Sequence, residues 1–384
     1  MKQADRMQWI QPFHVMALLA RARELEAAGR SIIHMEIGEP DFVTPQPVID
    51  AGIRALQNGY THYTPAVGML PLRQRIADFY LQRYGVTVDA QRIVITPGAS
   101  AALQLILAVL VNPGDRVLMA DPGYPCNRNF VYLLNGQPLG IPVSAASAYQ
   151  PTPQQVREHW TEGVAALLVA SPSNPTGTLL GEQSLREFHA IADAQGGSLI
   201  VDEIYHGLVY DKPATTALAI SDDIFVVNSF SKYFGMTGWR LGWLIAPDAY
   251  VADIDKLAQN LFLAAPTIAQ HAALVAFDED NISILESRRL EFQQRRDYLL
   301  PALRDLGFDI AVIPEGAFYL YANSSRFTDD SYSFASRLLE EAGVAVTPGI
   351  DFGINQPESH VRFAYTTSLE NLQEGVRRLQ EYLS

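Results

Sequence analysis

The chain has 384 residues, of which 28 are Lys or Arg and 42 are Asp or Glu, so its formal net charge is −14. Only 18% of the residues are charged and 48% are apolar, a composition that can fill a large core and that argues against an intrinsically disordered chain. The acidic balance disfavours binding along a nucleic-acid backbone, which needs a basic face, but it leaves open a small anionic substrate held by local arginines.

The cysteine content and the apolar stretches indicate the compartment. Cys126 is the single cysteine, so no intrachain disulfide can form, and we interpret it as a small apolar filler. No Cys and His residues are spaced as metal ligands, so we expect no metal. The first ten residues lack the apolar core of a signal peptide, and the apolar stretch 101–111 is too short to cross a bilayer. We therefore expect a soluble, cytoplasmic protein without membrane or nucleic-acid partners.

The predicted elements begin with a helical pattern in residues 1–30, closed by Gly29. Short apolar runs then alternate with helical stretches such as 99–110 and 184–194. Several runs are apolar at every position, which is typical of strands covered on both faces of a parallel α/β sheet. The seven strand candidates are 92–96, 116–120, 139–143, 164–170, 198–202, 224–228 and 241–246.

The C-terminal part has a different pattern. A charged amphipathic helix is predicted for residues 287–306, and a last helix starts at Leu369; the strand candidates between them are 318–321, 344–346 and 361–364. The sequence therefore predicts an α/β protein whose large domain has a mostly parallel seven-stranded sheet flanked by helices. We place this domain at residues 46–280, and a smaller α+β domain at residues 1–45 and 281–384.

The segment 228–241, NSFSKYFGMTGWRL, begins at the end of a predicted strand, where ligand sites form in open α/β sheets. A lysine becomes a nucleophile at neutral pH only where its neutral amine is favoured, and Lys232 has aromatic rather than charged neighbours. Ser229 and Arg240 could bind a phosphate. An amine facing a phosphate-anchored aldehyde is what a pyridoxal phosphate Schiff base requires. The alternative is a surface lysine and a structural ion pair.

Two other predicted strands end in polar residues. Asp202 of DEIY could keep a pyridine nitrogen protonated, and Tyr205 could donate to the phenolate oxygen of the same ring. Asn174 of SPSNPTG could donate a second hydrogen bond to that oxygen. Each residue also has an ordinary structural interpretation: a capping aspartate, a core tyrosine and a turn asparagine. The order of Asn174, Asp202 and Lys232 after three successive predicted strands is the stronger signal.

The segment 97–100, PGAS, lies between a predicted strand and an apolar helix. Free N–H groups at a helix N-terminus bind phosphate, and Gly98 allows the backbone to approach closely. An ordinary turn capped by Ser100 explains the segment equally well. The sequence lacks the glycine-rich fingerprints of dinucleotide and P-loop sites, and also the motifs G-x-S-x-G and H-E-x-x-H.

These motifs resemble the fold-type-I pyridoxal phosphate enzymes, specifically the class I/II aminotransferases of the aspartate aminotransferase superfamily. The resemblance implies a ping-pong transfer of an amino group between an L-amino acid and a 2-oxo acid. It covers nearly the whole chain through eight segments in order: IGEPDF (37–42), HYTPAVG (62–68), PGAS (97–100), DPGYP (121–125), SNPTG (173–177), DEIY (202–205), SFSKYFGMTGWRLG (229–242) and VRFAY (361–365).

The resemblance implies a role for each matching residue. Lys232 is implied as the Schiff-base lysine and proton shuttle, with Asp202 and Tyr205 as its catalytic partners. Arg362 is implied as the bidentate clamp of the substrate α-carboxylate, with Gly38 and Asn174 beside it. The residues implied in cofactor binding are Lys232, Asp202, Tyr205, Asn174, Tyr124, which stacks on the ring, and Ala99, Ser100, Ser229, Arg240 and Tyr63, which contact the phosphate.

Tyr63 is implied to reach the phosphate of a partner subunit, which predicts a homodimer with shared active sites. Its alternative is a core tyrosine in an aromatic turn. No second anion-binding group for acidic side chains is evident, and Arg128, the nearest candidate, is better interpreted as a solvated arginine. Substrate selectivity is expected to depend on the segments 9–13 and 316–319.

Two other functions remain open from these motifs. A carbon–sulfur β-lyase or another pyridoxal phosphate enzyme of the same fold would share the ring chemistry. A non-catalytic pyridoxal phosphate sensor would usually carry an N-terminal DNA-binding domain, and only about 30 residues precede IGEPDF.

Overall fold

The computed structural model describes residues 3–384; Met1 and Lys2 of the predicted small domain lie outside this range. The α-helices, in chain order, are α1 (His14–Ala27), α2 (Gln46–Gln57), α3 (Leu70–Tyr84), α4 (Ala99–Leu110), α5 (Pro125–Leu133), α6 (Pro153–His159), α7 (Glu182–Ala194), α8 (Asp248–Leu261), α9 (Thr267–Ala273), α10 (Glu279–Leu306), α11 (Ser331–Arg337) and α12 (Leu369–Leu383). The strands are β1 (Ile33–His34), β2 (Ile93–Thr96), β3 (Arg116–Asp121), β4 (Gln137–Pro142), β5 (Val164–Ala170), β6 (Ser198–Asp202), β7 (Phe225–Ser229), β8 (Gly242–Ile245), β9 (Tyr319–Asn323), β10 (Val344–Ala345), β11 (Thr347–Pro348) and β12 (His360–Ala364).

The predicted seven-stranded sheet is confirmed, with the strand order β2-β8-β7-β6-β5-β3-β4. The pairs among β7, β6, β5, β3 and β4 are parallel, whereas β8 runs antiparallel to both β7 and β2. The strands β5 to β8 are almost wholly buried because apolar helices cover both faces of the sheet, as the continuous apolar runs predict. The carboxyl ends of β5, β6 and β7 therefore lie side by side.

The strands outside the large sheet form two small sheets. Strand β1 pairs in parallel with β10, and β12 lies between β11 and β9 in an antiparallel sheet. In this sheet Arg362 lies opposite Thr347 on one side and Tyr321 on the other. The division of the chain into domains at residues 45 and 280 stays a prediction.

Two helices differ from their predicted bounds. The helical pattern of residues 1–30 contains α1 only from His14, after a short 3-10 turn at Asp5–Gln8. Helix α10 begins at Glu279, eight residues before the predicted start. The sequence pattern missed these residues because the first turns of the helix are polar, include the buried Asn281 and lack a clear apolar stripe. None of the helices within residues 3–384 combines the length and apolarity that a bilayer span needs. In the same range, no group of three or more His, Cys, Asp or Glu side chains could hold a metal ion.

Candidate active site

A cavity of about 200 Å³ lies at the carboxyl ends of β5, β6 and β7, beside the N-terminus of α4. Its walls come from the large sheet on one side and from α1 and the segments around β1, β11 and β12 on the other. Nine of the predicted site residues line this cavity: Gly38, Ala99, Ser100, Tyr124, Asn174, Asp202, Tyr205, Lys232 and Arg362. Ser229, Arg240 and Tyr63 are not among its lining residues.

Lys232 follows β7 and extends its amine across the cavity. Its Nζ donates a hydrogen bond of 2.5 Å to the carbonyl oxygen of Gly38, and it lies 5.8 Å from the centre of the Phe318 ring. Burial lowers the pKa of the Lys232 amine to about 8, and the positive charges of Arg362 and Arg240 act in the same direction. A sizeable neutral fraction of the amine is therefore present near neutral pH, as a nucleophile or base requires.

Asp202 ends β6 and lies buried at the base of the cavity. Its Oδ1 accepts a hydrogen bond of 3.1 Å from the backbone N–H of Ile204. Burial raises the pKa of the Asp202 carboxyl to about 6, while that hydrogen bond and the Lys232 charge oppose the shift. The carboxylate is thus ionised at pH 7 and is suited to pair with a buried cationic group.

Tyr205 lies one turn after Asp202, and its hydroxyl is hydrogen-bonded to the hydroxyl of Tyr319 at 2.9 Å. Both rings are buried and pack edge to face. The space for Tyr319 depends on Gly38, since a Cβ at that position would collide with the Tyr319 hydroxyl. Gly38 therefore serves both the tyrosine pair and the Lys232 amine.

Arg362 on β12 meets Asn174 after β5. One guanidinium nitrogen, Nη1, donates to Asn174 Oδ1 at 2.9 Å, and Nη2 donates to the carbonyl oxygen of Glu36 at 2.6 Å and to Thr347 Oγ1 at 3.1 Å. The guanidinium lies 4.1 Å from the centre of the Tyr319 ring, and the residue is only 5% exposed. Its Nε has no hydrogen-bond partner within the described part of the chain. The group is a buried, oriented cation with capacity for an anionic ligand.

Besides Arg362, the N-terminus of α4 is also suited to bind an anion. Gly98 has φ +83° at the N-cap, and the helix starts at Ala99. A Cβ on Gly98 would lie 2.5 Å from Arg240 Nη2, so the arginine side chain rests directly against this turn. Arg240 is exposed, and its Nη1 donates to the carbonyl oxygen of Thr237 at 3.0 Å. A helix N-terminus beside a guanidinium is suited to bind a phosphate.

The remaining predicted residues have different surroundings. The Ser229 hydroxyl, at the end of β7, lies within hydrogen-bond distance of Ser231 Oγ at 2.9 Å and of the carbonyl oxygen of Leu241 at 3.0 Å. Tyr63 is 83% exposed. Arg128, the candidate for a second anion-binding group, donates to the carbonyl oxygen of Phe352 at 2.7 Å and does not line the cavity. The role of Tyr63 toward a second chain therefore stays a prediction.

Several cavity residues have no strong signal in the sequence. Glu36 lies two positions before Gly38 on an extended segment, a spacing that places both on one face. Asp351 accepts hydrogen bonds from the backbone N–H groups of His14 and Val15 and so fixes the start of α1 at the cavity. The other cavity residues that are not among the predicted site residues include Phe13, Val15, Met16, Tyr319, Thr347 and Phe352. Phe13 and Tyr319 fall in the segments expected to govern selectivity.

The residues fit pyridoxal phosphate in their chemistry. The helix N-terminus and Arg240 suit its phosphate, the buried Asp202 carboxylate suits a protonated pyridine nitrogen, and the Lys232 amine suits its aldehyde. The buried Arg362 guanidinium is not needed for the cofactor and is suited to bind the carboxylate of a substrate. The donors, acceptors and charges of these residues therefore match those that pyridoxal phosphate requires.

Comparisons with known proteins agree on the family to which the chain is similar. The sequence profile of the family "aminotransferase class I and II" matches residues 30–379. The chain is 39% identical over 375 residues to the (5-formylfuran-3-yl)methyl phosphate transaminase of Methanocaldococcus jannaschii, with 97% of each chain covered. It is 38% identical over 376 residues to the valine–pyruvate aminotransferase of Mycobacterium tuberculosis, again with 97% of each covered.

Solved structures agree with these sequence relatives. A crystal structure of an aminotransferase from Mycobacterium tuberculosis superposes with a TM-score of 0.96 at 37% identity, covering 100% of this chain and 99% of that one. Aspartate aminotransferase from Thermus thermophilus with maleate superposes with a TM-score of 0.93 at 32% identity, covering 99% of both chains.

Proposed function

The chain belongs to the class I and II aminotransferases and transfers amino groups, and we propose that it does so with pyridoxal phosphate held covalently by Lys232. The donor is an L-amino acid and the acceptor is a 2-oxo acid, in a ping-pong sequence. The observation that supports this most is the half-buried Lys232, whose amine shares one cavity with a buried carboxylate, Asp202, and a buried guanidinium, Arg362. When bound, pyridoxal phosphate supplies an aldehyde that condenses with amines and a ring that accepts electron density from the substrate Cα.

Lys232 is the residue that transfers the proton of the substrate Cα. Because the pKa of its amine is lowered to about 8, roughly one amine in ten is neutral at pH 7. As a neutral amine, Nζ would take the proton from the substrate Cα as a general base. The protonated Lys232 would then be the acid that gives this proton back. Its contact with the Gly38 carbonyl keeps the amine on the substrate side of the cavity.

Asp202, Tyr205 and Asn174 orient the cofactor ring. The Asp202 carboxylate, ionised above a pKa of about 6, would hold a protonated pyridine nitrogen. Tyr205 and Asn174 would donate to the ring oxygen, and Tyr124, which lines the same cavity, would pack against the ring. The N-terminus of α4 at Ala99 and Ser100, together with Ser229 and Arg240, holds the phosphate.

Arg362 binds the substrate α-carboxylate. Asn174 and the Glu36 carbonyl fix the plane of its guanidinium, so little side-chain entropy is lost when the carboxylate binds. Gly38 allows the carboxylate to approach because it has no side chain. A fixed carboxylate sets which Cα bond faces Lys232, and this orientation selects proton abstraction.

The active site is completed by a second copy of the chain. Tyr63 is largely exposed in the single chain, and the nearby apolar side chains of Ile53, Leu56 and Tyr60 are also exposed. A homodimer would cover them and bring Tyr63 to the phosphate of the partner's site. We place the enzyme in the cytoplasm, because its one cysteine makes no disulfide.

The experiment follows the absorbance of the cofactor-loaded enzyme mixed with each of the twenty amino acids. We expect the bound-cofactor band to shift with at least one amino acid and to return when a 2-oxo acid is added. Lys232→Ala should lose the shift, whereas Lys212→Ala, at an exposed lysine paired with Glu315, should keep it. A cofactor-loaded protein whose band responds to none of the amino acids would overturn the proposal.

The carbon–sulfur lyase alternative has no support from the relatives, which are named aminotransferases. The same assay separates the two reactions. A lyase would release pyruvate and ammonia without a 2-oxo acid acceptor.

A further inference from the structure

Glu36 is a buried acidic side chain that the proposed chemistry leaves without a role. It is 0% exposed and lines the candidate active-site cavity. Ile33 and Met35 of the same extended segment face α12, since a Cβ on Gly375 would meet both side chains. His34 and Glu36 alternate with them and project to the opposite face, toward α1 and the cavity.

One of the two Glu36 carboxylate oxygens is already paired. His34 Nδ1 lies 2.7 Å from Oε1, and the other ring nitrogen of His34 lies 3.2 Å from Glu26. These hydrogen bonds, with Glu36 as the largest contribution, raise the pKa of the His34 imidazole to about 9, so His34 is protonated and donates to Oε1. The second oxygen, Oε2, is buried and has no hydrogen-bond partner among residues 3–384. A buried acceptor without a donor is unfavourable unless a ligand supplies one.

The other walls of the cavity that Glu36 lines restrict what can supply the donor. Phe13, Val15 and Met16 at the start of α1, together with Phe352, give apolar surface. Asp351, the other acid on this side, has both oxygens occupied by the backbone and ring N–H groups at the start of α1. The cations among the described lining residues are Lys232 and Arg362, which the proposed function already uses.

We propose that Glu36 determines specificity by accepting a hydrogen bond from the end of the substrate side chain. The enzyme then favours L-amino acids whose side chains carry a hydroxyl or ammonium donor over apolar isosteres, and it disfavours dicarboxylates, whose second carboxylate would face Glu36. This inference rests on the proposed function, because Arg362 must hold the α-carboxylate. The backbone carbonyl of Glu36 accepts from that same guanidinium at 2.6 Å, so Glu36 and the clamp are neighbours in the wall of one cavity.

The test compares isosteric pairs: homoserine with norvaline, and ornithine with norleucine. For at least one pair, we expect the wild-type enzyme to favour the donor-bearing member about tenfold or more in kcat/KM. In Glu36→Gln the Nδ1–H of a neutral His34 can still donate to the amide oxygen, so the amide NH2 faces the ligand. The preference should fall to near one, norvaline activity should change less than about twofold, and glutamate activity should rise.

A second readout measures binding without turnover. The α-methyl derivatives of ornithine and norleucine lack the Cα proton, so their dissociation constants from the cofactor-loaded enzyme report side-chain recognition alone. We expect the Glu36→Gln substitution to weaken α-methylornithine selectively. Glu24→Gln, on the exposed surface of α1, is the control and should leave both constants unchanged.

The outcomes separate the inference from the proposed function. A wild-type enzyme that transaminates norvaline but does not distinguish the members of either pair overturns the Glu36 assignment and leaves the proposed function intact. If Glu36→Gln lowers kcat/KM equally for both members of a pair, Glu36 is merely structural, and the Glu36 assignment is again overturned. The wild-type ratios decide the matter even where the variant fails to fold. A cofactor-loaded enzyme that reacts with no amino acid overturns the proposed function itself.

Discussion

Replacing Arg362 with Lys removes the planar fork of the proposed substrate clamp and keeps its charge. The guanidinium makes three hydrogen bonds, to Asn174 Oδ1, the Glu36 carbonyl and Thr347 Oγ1, at 2.9, 2.6 and 3.1 Å. A lysine ammonium cannot keep these contacts and also bind a carboxylate through two parallel bonds. A hydrogen bond to a charged group contributes about 1.5–3 kcal/mol. We therefore expect a loss of about 2–4 kcal/mol in transition-state binding, which is about 30- to 1,000-fold in kcat/KM.

The assay separates loss of the clamp from general damage to the site. The first half-reaction is followed with L-alanine and with ethylamine, which is the same amine without the carboxylate. Arg362→Lys should lose the full factor with alanine and less than about threefold with ethylamine. Arg157→Lys, at an exposed arginine paired with Glu187, should leave both rates unchanged. Equal losses for the two amines, or no loss with alanine, would refute the assignment of the carboxylate to Arg362.

Three further predictions follow from local features of the structure. Because only the neutral Lys232 amine attacks an aldehyde and its pKa is about 8, the rate at which the apoenzyme attaches pyridoxal phosphate should rise about tenfold per pH unit below pH 8 and level off above it; a stopped-flow rate that is flat from pH 6 to 9 would contradict this. The pKa of His34 in the folded protein is about 9, above its ordinary value of 6.5, so its stabilisation is fully present below pH 6.5 and is lost as the pH rises through 9. The Tm deficit of His34→Gln should therefore shrink between pH 6 and pH 10, and a constant deficit would show that His34 stabilises by another means. Gly98→Ala puts a Cβ 2.5 Å from Arg240 Nη2 at φ +83° and should weaken pyridoxal phosphate binding at least about tenfold in a fluorescence titration, whereas Gly114→Ala, which also has a positive φ, +91°, but open space around it, should not weaken it; equal effects would assign the loss to the positive φ rather than to the contact with Arg240.

The strands that position the site were predictable because their signal is local. β5 and β6 have the predicted bounds, 164–170 and 198–202, since a run that is buried on both faces is apolar throughout and ends where polar residues begin. The convergence of Asn174, Asp202 and Lys232 follows, because parallel neighbours end at the same edge of a sheet. The sequence predicted a mostly parallel sheet but did not identify β8 as its antiparallel strand, since strand direction depends on long-range pairing.

The features that the sequence missed depend on contacts between distant residues. Helix α1 starts at His14 because Asp351, 337 positions away, accepts its first backbone N–H groups. Glu36 faces the cavity because β1 pairs with β10, more than 300 residues later. Neither contact leaves a local pattern, since an isolated acid on an extended segment is usually solvated.

The proposed mechanism requires the covalent attachment of the cofactor to one amine. Borohydride reduction of the cofactor-loaded enzyme, followed by peptide mapping, measures which lysine carries the cofactor. We predict a single labelled peptide that contains Lys232 from the loop after β7. Labelling of Lys212 or Lys256 instead, or of no lysine, would contradict the proposed mechanism.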